Sequence, residues 1–206
     1  LPYLLRIPLG PDGIVLKARD TWPRTGKIYC HRAVGWPADP DIIEAALEKK
    51  IRGLWIIATN PVVIDAIRKQ NEETAGYDAA RIEQLDSQWR AEVGAASKPL
   101  IDDTLGTDAS IVLKQAQEES AGLITELFVM DAKGLNVAQS TITSDYWQGD
   151  EEKFTASFGA GAGGITFGEI EEDESTQTFQ SQVSIAIVDP DSGAPIGAVT
   201  AGVDLS

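Results

Sequence analysis

The chain has 206 residues, 43% of them hydrophobic, which suffices for one substantial core with an appendage and is tight for two full domains. Its 17 basic and 32 acidic side chains give a formal net charge of -15, which repels nucleic acid and anionic membranes and excludes both as partners of the chain as a whole. Cys30 is the single cysteine, so no intramolecular disulfide forms and compartment is not legible from cysteine pairing.

Residues 1–38 hold six Lys and Arg against Asp12 and Asp20, whereas the rest of the chain is strongly acidic, an asymmetry that marks two pieces. YLLRIPLG, GIVLKARD and KIYCHRAV are short apolar runs separated by Gly10-Pro11-Asp12-Gly13 and by Trp22-Pro23-Arg24-Thr25-Gly26. They read as a basic, hairpin-like segment too small for a stable core of its own. Its scattered charges read as a solvated face, and its role is unassigned.

At Asp39-Pro40 the pattern becomes helical, with Ile43, Leu47, Ile51, Leu54 and Ala58 on one stripe. Asn60-Pro61 should kink or restart this long helix, with Asn60 as cap and Val62, Val63 and Ile67 on the buried side. Asp78 is the expected cap of a further helix carrying Ile82, Leu85, Trp89 and Val93, and another helix is expected from Asp108 to about Glu119.

After Gly122 the period falls to two. LITELFVMD, the Ala132-Lys133-Gly134 turn and LNVAQSTI read as a hairpin, and ITFGEIEEDES, QTFQSQVSIAIVD and PIGAVTAGVDL as three more strands. Helices first and hairpin-connected strands after predict an α+β class with a five-stranded antiparallel sheet, the long amino-terminal helix on one face.

PVVIDAIRKQN, LDSQWRAEV, ITELFVMDAKGLNVAQSTITSDYWQGDEEKF and DESTQTFQSQVSIAIVDPDSGAPIGAVTAGVDL together resemble the Cache family of PDC-like, extracytoplasmic, PAS-like sensor domains. The resemblance runs from about Pro61 to Leu205, and residues 39–206 are read as the sensor domain. It implies a PAS-like sheet, a small-molecule pocket on the face opposite the long helix, and a chemoreceptor-like role in signal transduction at a periplasmic or otherwise extracytoplasmic location. The segment after the first hairpin and the central strands line the pocket in that family. Mapped onto this chain, they nominate Asp145, Tyr146, Trp147, Lys153, Gln182 and Ser184 as ligand-binding residues.

Each nomination has a plainer alternative. Asp150 is the expected cap of a helix carrying Phe154 and Phe158, which leaves Tyr146 and Trp147 as either pocket wall or core. Ligand charge turns on Lys153: a small carboxylate if it faces the pocket, an amine held by Asp145 and the rings if it is solvated. Glycines of GAGAGG match a dinucleotide pattern but follow a helix and precede a strand, the wrong order for phosphate binding. Glu169, Glu171, Glu172, Asp173 and Glu174 read as a solvated strand end rather than a calcium loop.

No cofactor is expected. His31, the single histidine, lies in the amino-terminal segment, which excludes a histidine-ligated haem in the sensor domain, and no zinc ligand set is present. No apolar run reaches the roughly 18 to 20 residues that span a bilayer, and the amino end lacks a leader pattern. The expected form is a free-standing or excised sensor that binds a small organic acid, amino acid or amine, and acts through a homodimer on its amino-terminal helix or through a membrane signalling partner. The alternative is a non-sensing PAS-like interaction module whose pocket is filled by its own side chains; an enzyme is not expected.

Overall fold

The computed structural model describes residues 5–7, 14–16, 53–173 and 178–204. The chain divides into two compact units, Leu1–Trp55 and Ile56–Ser206. In the first, β1 (Leu5–Ile7) pairs antiparallel with β2 (Ile14–Leu16), with Leu5 opposite Leu16 and Ile7 opposite Ile14. This is the first expected hairpin. The KIYCHRAV run, Cys30, His31, the expected boundary at residues 38/39 and the stripe Ile43, Leu47, Ile51 lie outside the described residues.

A helical stretch over residues 53–58 precedes Asn60, whose side chain accepts from the Val62 N–H at 2.9 Å. Pro61 takes the first helical position, where a missing donor leaves nothing unpaired, and α1 (Pro61–Thr74) follows. Val63, Ile64 and Ile67 are buried, while Val62, expected among them, is 42% exposed. At about 100° per residue Val62 falls off the buried stripe. Asp78 caps α2 (Ala79–Val93) through the Arg81 N–H, and Leu85 and Trp89 form its buried side.

Helix α3 (Pro99–Leu105) was not anticipated, because its cap is not local. Lys98 makes no capping bond; instead the buried Glu92 carboxylate on α2 accepts from the N–H groups of Leu100 and Ile101 at 2.8 and 3.1 Å. Helix α4 (Asp108–Glu119) has the expected span and is capped by Thr107 onto the Ser110 N–H.

Strands β3 (Ile124–Asp131) and β4 (Asn136–Gln139) form the expected hairpin. Asp131 shapes its turn by accepting from Lys133 N and Leu135 N at 2.8 and 3.0 Å. Gly134 has φ +82°, and a Cβ there would lie 2.4 Å from Gly149 Cα, so the turn admits only glycine.

A one-turn helix α5 (Glu152–Thr155), a 3₁₀ turn (Phe158–Ala160), β5 (Ile165–Phe167), β6 (Glu171–Asp173), β7 (Thr178–Val188) and β8 (Pro195–Asp204) complete the chain. The sheet is antiparallel in the order β4-β3-β8-β7-β5, with β6 also paired to β7. β5 and β6 occupy the same edge of β7, so the expected third strand is present but interrupted at residues 168–170. The result is an α+β, PAS-like fold with five strand positions.

Two sheet faces follow from the register. Asp131 opposite Gly197, Val129 opposite Val199 and Leu127 opposite Ala201 share one face, continued on β7 by Ile187, Ile185 and Val183. Helix α1 covers it: Ile67 packs over Gly197, and Gln70 and Thr74 donate to the Asp131 carboxylate. Phe128, Met130 and Ala198 point to the other face, where they cluster with Phe154 of α5 and with Phe158.

Candidate functional site

The face away from α1 is organised in rows. Across the strands run Phe128, Thr200, Ser184 and Thr166, and beside them Glu126, Gly202 and Gln182, with Gly168 continuing at the edge. Gly202 sits between Glu126 and Gln182, and a Cβ there would come within 2.7 Å of Glu126 Cγ. Because that space is open, the Gln182 Nε2 donates to Glu126 Oε1 at 2.9 Å across an intervening strand. The fully buried Ser184 and Thr200 hydroxyls pair at 2.7 Å beneath. A polar floor has thus been placed on the side of the sheet that α1 does not cover.

Over this floor a cleft of about 140 Å³ opens between α5 and the β5–β7 edge, lined by Glu151, Glu152, Lys153, Thr166, Phe167, Gly168 and Gln182. Helix α5 positions Lys153. The Phe154 ring is buried against Phe128 and Met130 and stacks on Phe158 at 5.0 Å, which anchors the turn and directs its neighbour inward. Lys153 lies 5.2 Å from the centroid of the Phe128 ring, with its side chain 16% exposed, and reaches Glu151 Oε2 at 3.0 Å.

The helix start itself corrects the sequence reading. Asp150 is exposed and is not the cap; Glu151 holds that position, without a side-chain capping bond. The helix is a single turn, and Phe158 stands in the 3₁₀ turn that follows. The aromatic spacing of four survives because the 3₁₀ turn continues the same winding sense.

The six nominated residues fall into two groups. Lys153 and Gln182 line the cleft, and Ser184 lies under it, bonded to Thr200. Asp145, Tyr146 and Trp147 sit elsewhere, at the β4 edge, where residues 146–148 run beside the β3–β4 turn with Leu135 opposite Trp147. Tyr146 is buried among Leu85, Trp89, Ile101 and Leu135, and its ring stacks on Trp89 at 5.3 Å. Trp147 packs against the same cluster and donates from Nε1 to Lys133 O at 2.8 Å. Burial pushes the Tyr146 phenol above its ordinary range.

Of the two alternatives open for these rings, pocket wall or core, their packing is that of core, and the partners are not in the helix after Gly149 but on α2 and α3, some 40 to 60 residues upstream. Asp86 of α2, 2% exposed, fixes the segment: Oδ1 accepts from Tyr146 N and Trp147 N at 2.8 and 3.0 Å, and Oδ2 pairs with Arg90. The Asp145 carboxylate pairs with the Gln148 amide, and its carbonyl accepts from Asn136 Nδ2 at 3.1 Å.

Sequence reasoning missed Glu126, Glu151 and Thr166. Alternation in ITELFVMD does place Glu126 on the face of Phe128 and Met130, a legible signal. Its bond to Gln182, 56 residues away, is not legible. Among the described residues no group of three side chains could hold a metal ion, and no helix is long and apolar enough to cross a membrane.

No family model matches the chain, and no curated protein matches it. Several solved structures do. The sensor domain of DcuS from E. coli is similar over 79% of this chain and 90% of its own, at 12% identity and a TM-score of 0.46. The sensor domain of the V. cholerae histidine kinase DctB aligns over 80% of this chain, at 13% identity and a TM-score of 0.37, and the chain spans 58% of its length. The sensory domain of the Campylobacter jejuni chemoreceptor Tlp3 with isoleucine bound aligns over 81%, at 11% identity and a TM-score of 0.34, with 64% of its length spanned.

Proposed function

We propose that this chain is an extracytoplasmic sensor domain of Cache type that binds a small carboxylate-bearing metabolite in the cleft between α5 and β7. The observation that carries the reading is Lys153. Among the described residues it is the only cation lining the cleft, and it is largely withdrawn from solvent over an aromatic ring. It shares the cleft with Phe167, the Gln182 amide, the Thr166 hydroxyl and the carboxylates of Glu151 and Glu152, and a few placed polar groups against an aromatic wall are common in small-ligand sites. Of the two ligand chemistries open from the sequence, Lys153 lining the cleft favours the acid over the amine.

Size narrows the ligand further. The cleft, about 140 Å³, is small beside the roughly 300 to 1,000 Å³ of pockets for drug-sized ligands, so the guest has few non-hydrogen atoms. Gln182 would hold its second polar end, with Ser184 and Thr200 keeping the floor rigid. Asp145, Tyr146 and Trp147 support the site from outside by holding the segment that leads into α5. A ligand shifts the arrangement of α5 on the sheet only to the extent that it prefers one arrangement. Signalling through a homodimer or a membrane partner belongs to the same proposal.

A second reading has its own observation: Lys153 and Gln182 already have internal partners, Glu151 and Glu126. That is the state expected of a non-sensing module whose pocket is filled by its own side chains. Thermal shift against acetate, succinate, glycine and ethylamine separates the two, because a ligand that binds the folded state alone raises Tm with concentration. A rise with a carboxylate, lost in Lys153→Met, is expected. A flat response across the panel would leave only the interaction module.

A further inference from the structure

The cation of the cleft is held by a carboxylate two residues before it. Glu151 occupies the N-cap of α5 and makes no side-chain capping bond. Its Oε2 lies 3.0 Å from Lys153 Nζ instead, and both residues line the cleft. Glu126 repeats the arrangement one row away, its carboxylate occupying the Gln182 amide. Lys153 and Gln182, which both line the cleft, therefore each carry an acidic side chain of the protein itself.

Resting on the reading of the cleft as a carboxylate site, we propose that Glu151 is a tethered competitor, which holds Lys153 until a small carboxylate takes its place and so sets the ligand concentration at which the site fills. An ammonium has three donors, so a second carboxylate has somewhere to bond. Two carboxylates on one ammonium, however, bring like charges within a few ångström in a partly desolvated place, where repulsion is strong. Binding of the ligand is thus coupled to release of Glu151. With its side chain 39% exposed, Glu151 has solvent to swing into, and no capping bond has to break. A tether this short presents its carboxylate at an effective concentration in the millimolar range or above, so weak ligands are excluded at low concentration.

Isothermal titration of the full chain with succinate and acetate, and with ethylamine as control, tests this. Glu151→Gln removes the competing charge and keeps the side-chain shape; Glu151→Ser, a good N-cap residue, does so while favouring the helix start. Both are expected to tighten succinate about 1.5- to fivefold, the range of an exposed ion pair, without creating ethylamine binding. Lys153→Met is expected to abolish succinate binding in the parent and in both Glu151 variants. If Lys153→Met abolishes binding while neither Glu151 variant tightens it, the competitor is disproved and the cleft survives. Succinate binding that outlasts Lys153→Met, ethylamine binding in preference to succinate, or no saturable binding in any of the proteins overturns the cleft assignment and the competitor with it.

Discussion

The two faces of the sheet are built from alternate residues of the same strands, yet they obey different rules. On the α1 face, Leu127, Val129, Val199, Ala201 and Ile185 are buried and apolar, and the buried Asp131 there has its oxygens bonded. On the opposite face, Glu126, Thr200, Ser184 and Gln182 alternate with them, bonded to one another in pairs. One face is committed to stability, since its apolar side chains gain by burial alone. The other combines the buried cluster of Phe128, Met130 and Ala198 and the buried Ser184–Thr200 pair with a part-buried amide–carboxylate pair, Gln182 with Glu126, which under the proposed function is the bond a ligand carboxylate would replace. Strand periodicity of two is what lets a single strand serve both purposes.

Substitutions that respect or cross this division test it, beginning with the largest effect. Ile67→Ala, on the α1 side, should lower unfolding free energy by about 2 to 5 kcal/mol in urea titrations and leave succinate affinity of the folded protein unchanged. Loss of affinity out of proportion to stability would mean that the faces are not separable. Next comes Asp86→Ala, which strands the Tyr146 and Trp147 N–H groups and should cost about 2 to 3 kcal/mol. Trp147→Ala should behave in the same way, destabilising without a direct effect on succinate binding. An affinity collapse in a fully folded Trp147→Ala protein would return the aromatic segment to the binding site.

Arg68 joins α1 to the β7–β8 turn through Asp189 at 2.7 Å and Asp191 at 2.6 Å. The Arg68 guanidinium, followed by the turn N–H groups of Ser192 and Asp191, holds the Asp189 carboxyl well below the usual carboxylate range. A depressed folded-state value contributes stability that is fully present above the unfolded value, near pH 4, and is lost as pH falls through the folded one. The Tm difference between the parent and Arg68→Met should therefore be constant from neutral pH down to about pH 5 and close only in stronger acid. A difference that closed above pH 5 would show that Asp189 is not the coupled group. Smallest in stability is Gln182→Met, within about 1 kcal/mol by chemical denaturation, since its bond is a part-buried pair. It should nonetheless weaken succinate severalfold, the reverse of the Ile67→Ala pattern.

Much of the fold is legible along the chain because its signals are local. Asn60, Asp78 and Thr107 each cap the helix that starts next to them, and the Asp131 turn closes within four residues. The unread helix α3 is the instructive exception, capped by Glu92 from a preceding helix. For the site, Lys153 and Gln182 were named from resemblance and stand in one cleft, whereas Tyr146 and Trp147 were named with them and stand in another cluster. Large rings near a polar loop have the same appearance in sequence whether they line a pocket or close a core. Only the position of Trp89 and Leu85 separates the two cases.

What the sequence determined by itself is the order and kind of the elements: capped amphipathic helices followed by alternating strands, an α+β chain that is strongly acidic after residue 38. Periodicity and capping act over a few residues, so they are written in the chain. What the tertiary structure decided is which polar residues meet: Glu126 with Gln182 across an absent side chain at Gly202, Asp86 with the backbone of Tyr146 and Trp147, and Lys153 over Phe128. Those pairings depend on strand order, register and packing between segments well separated along the chain. No local pattern encodes them, and the candidate site is built on the first and the last.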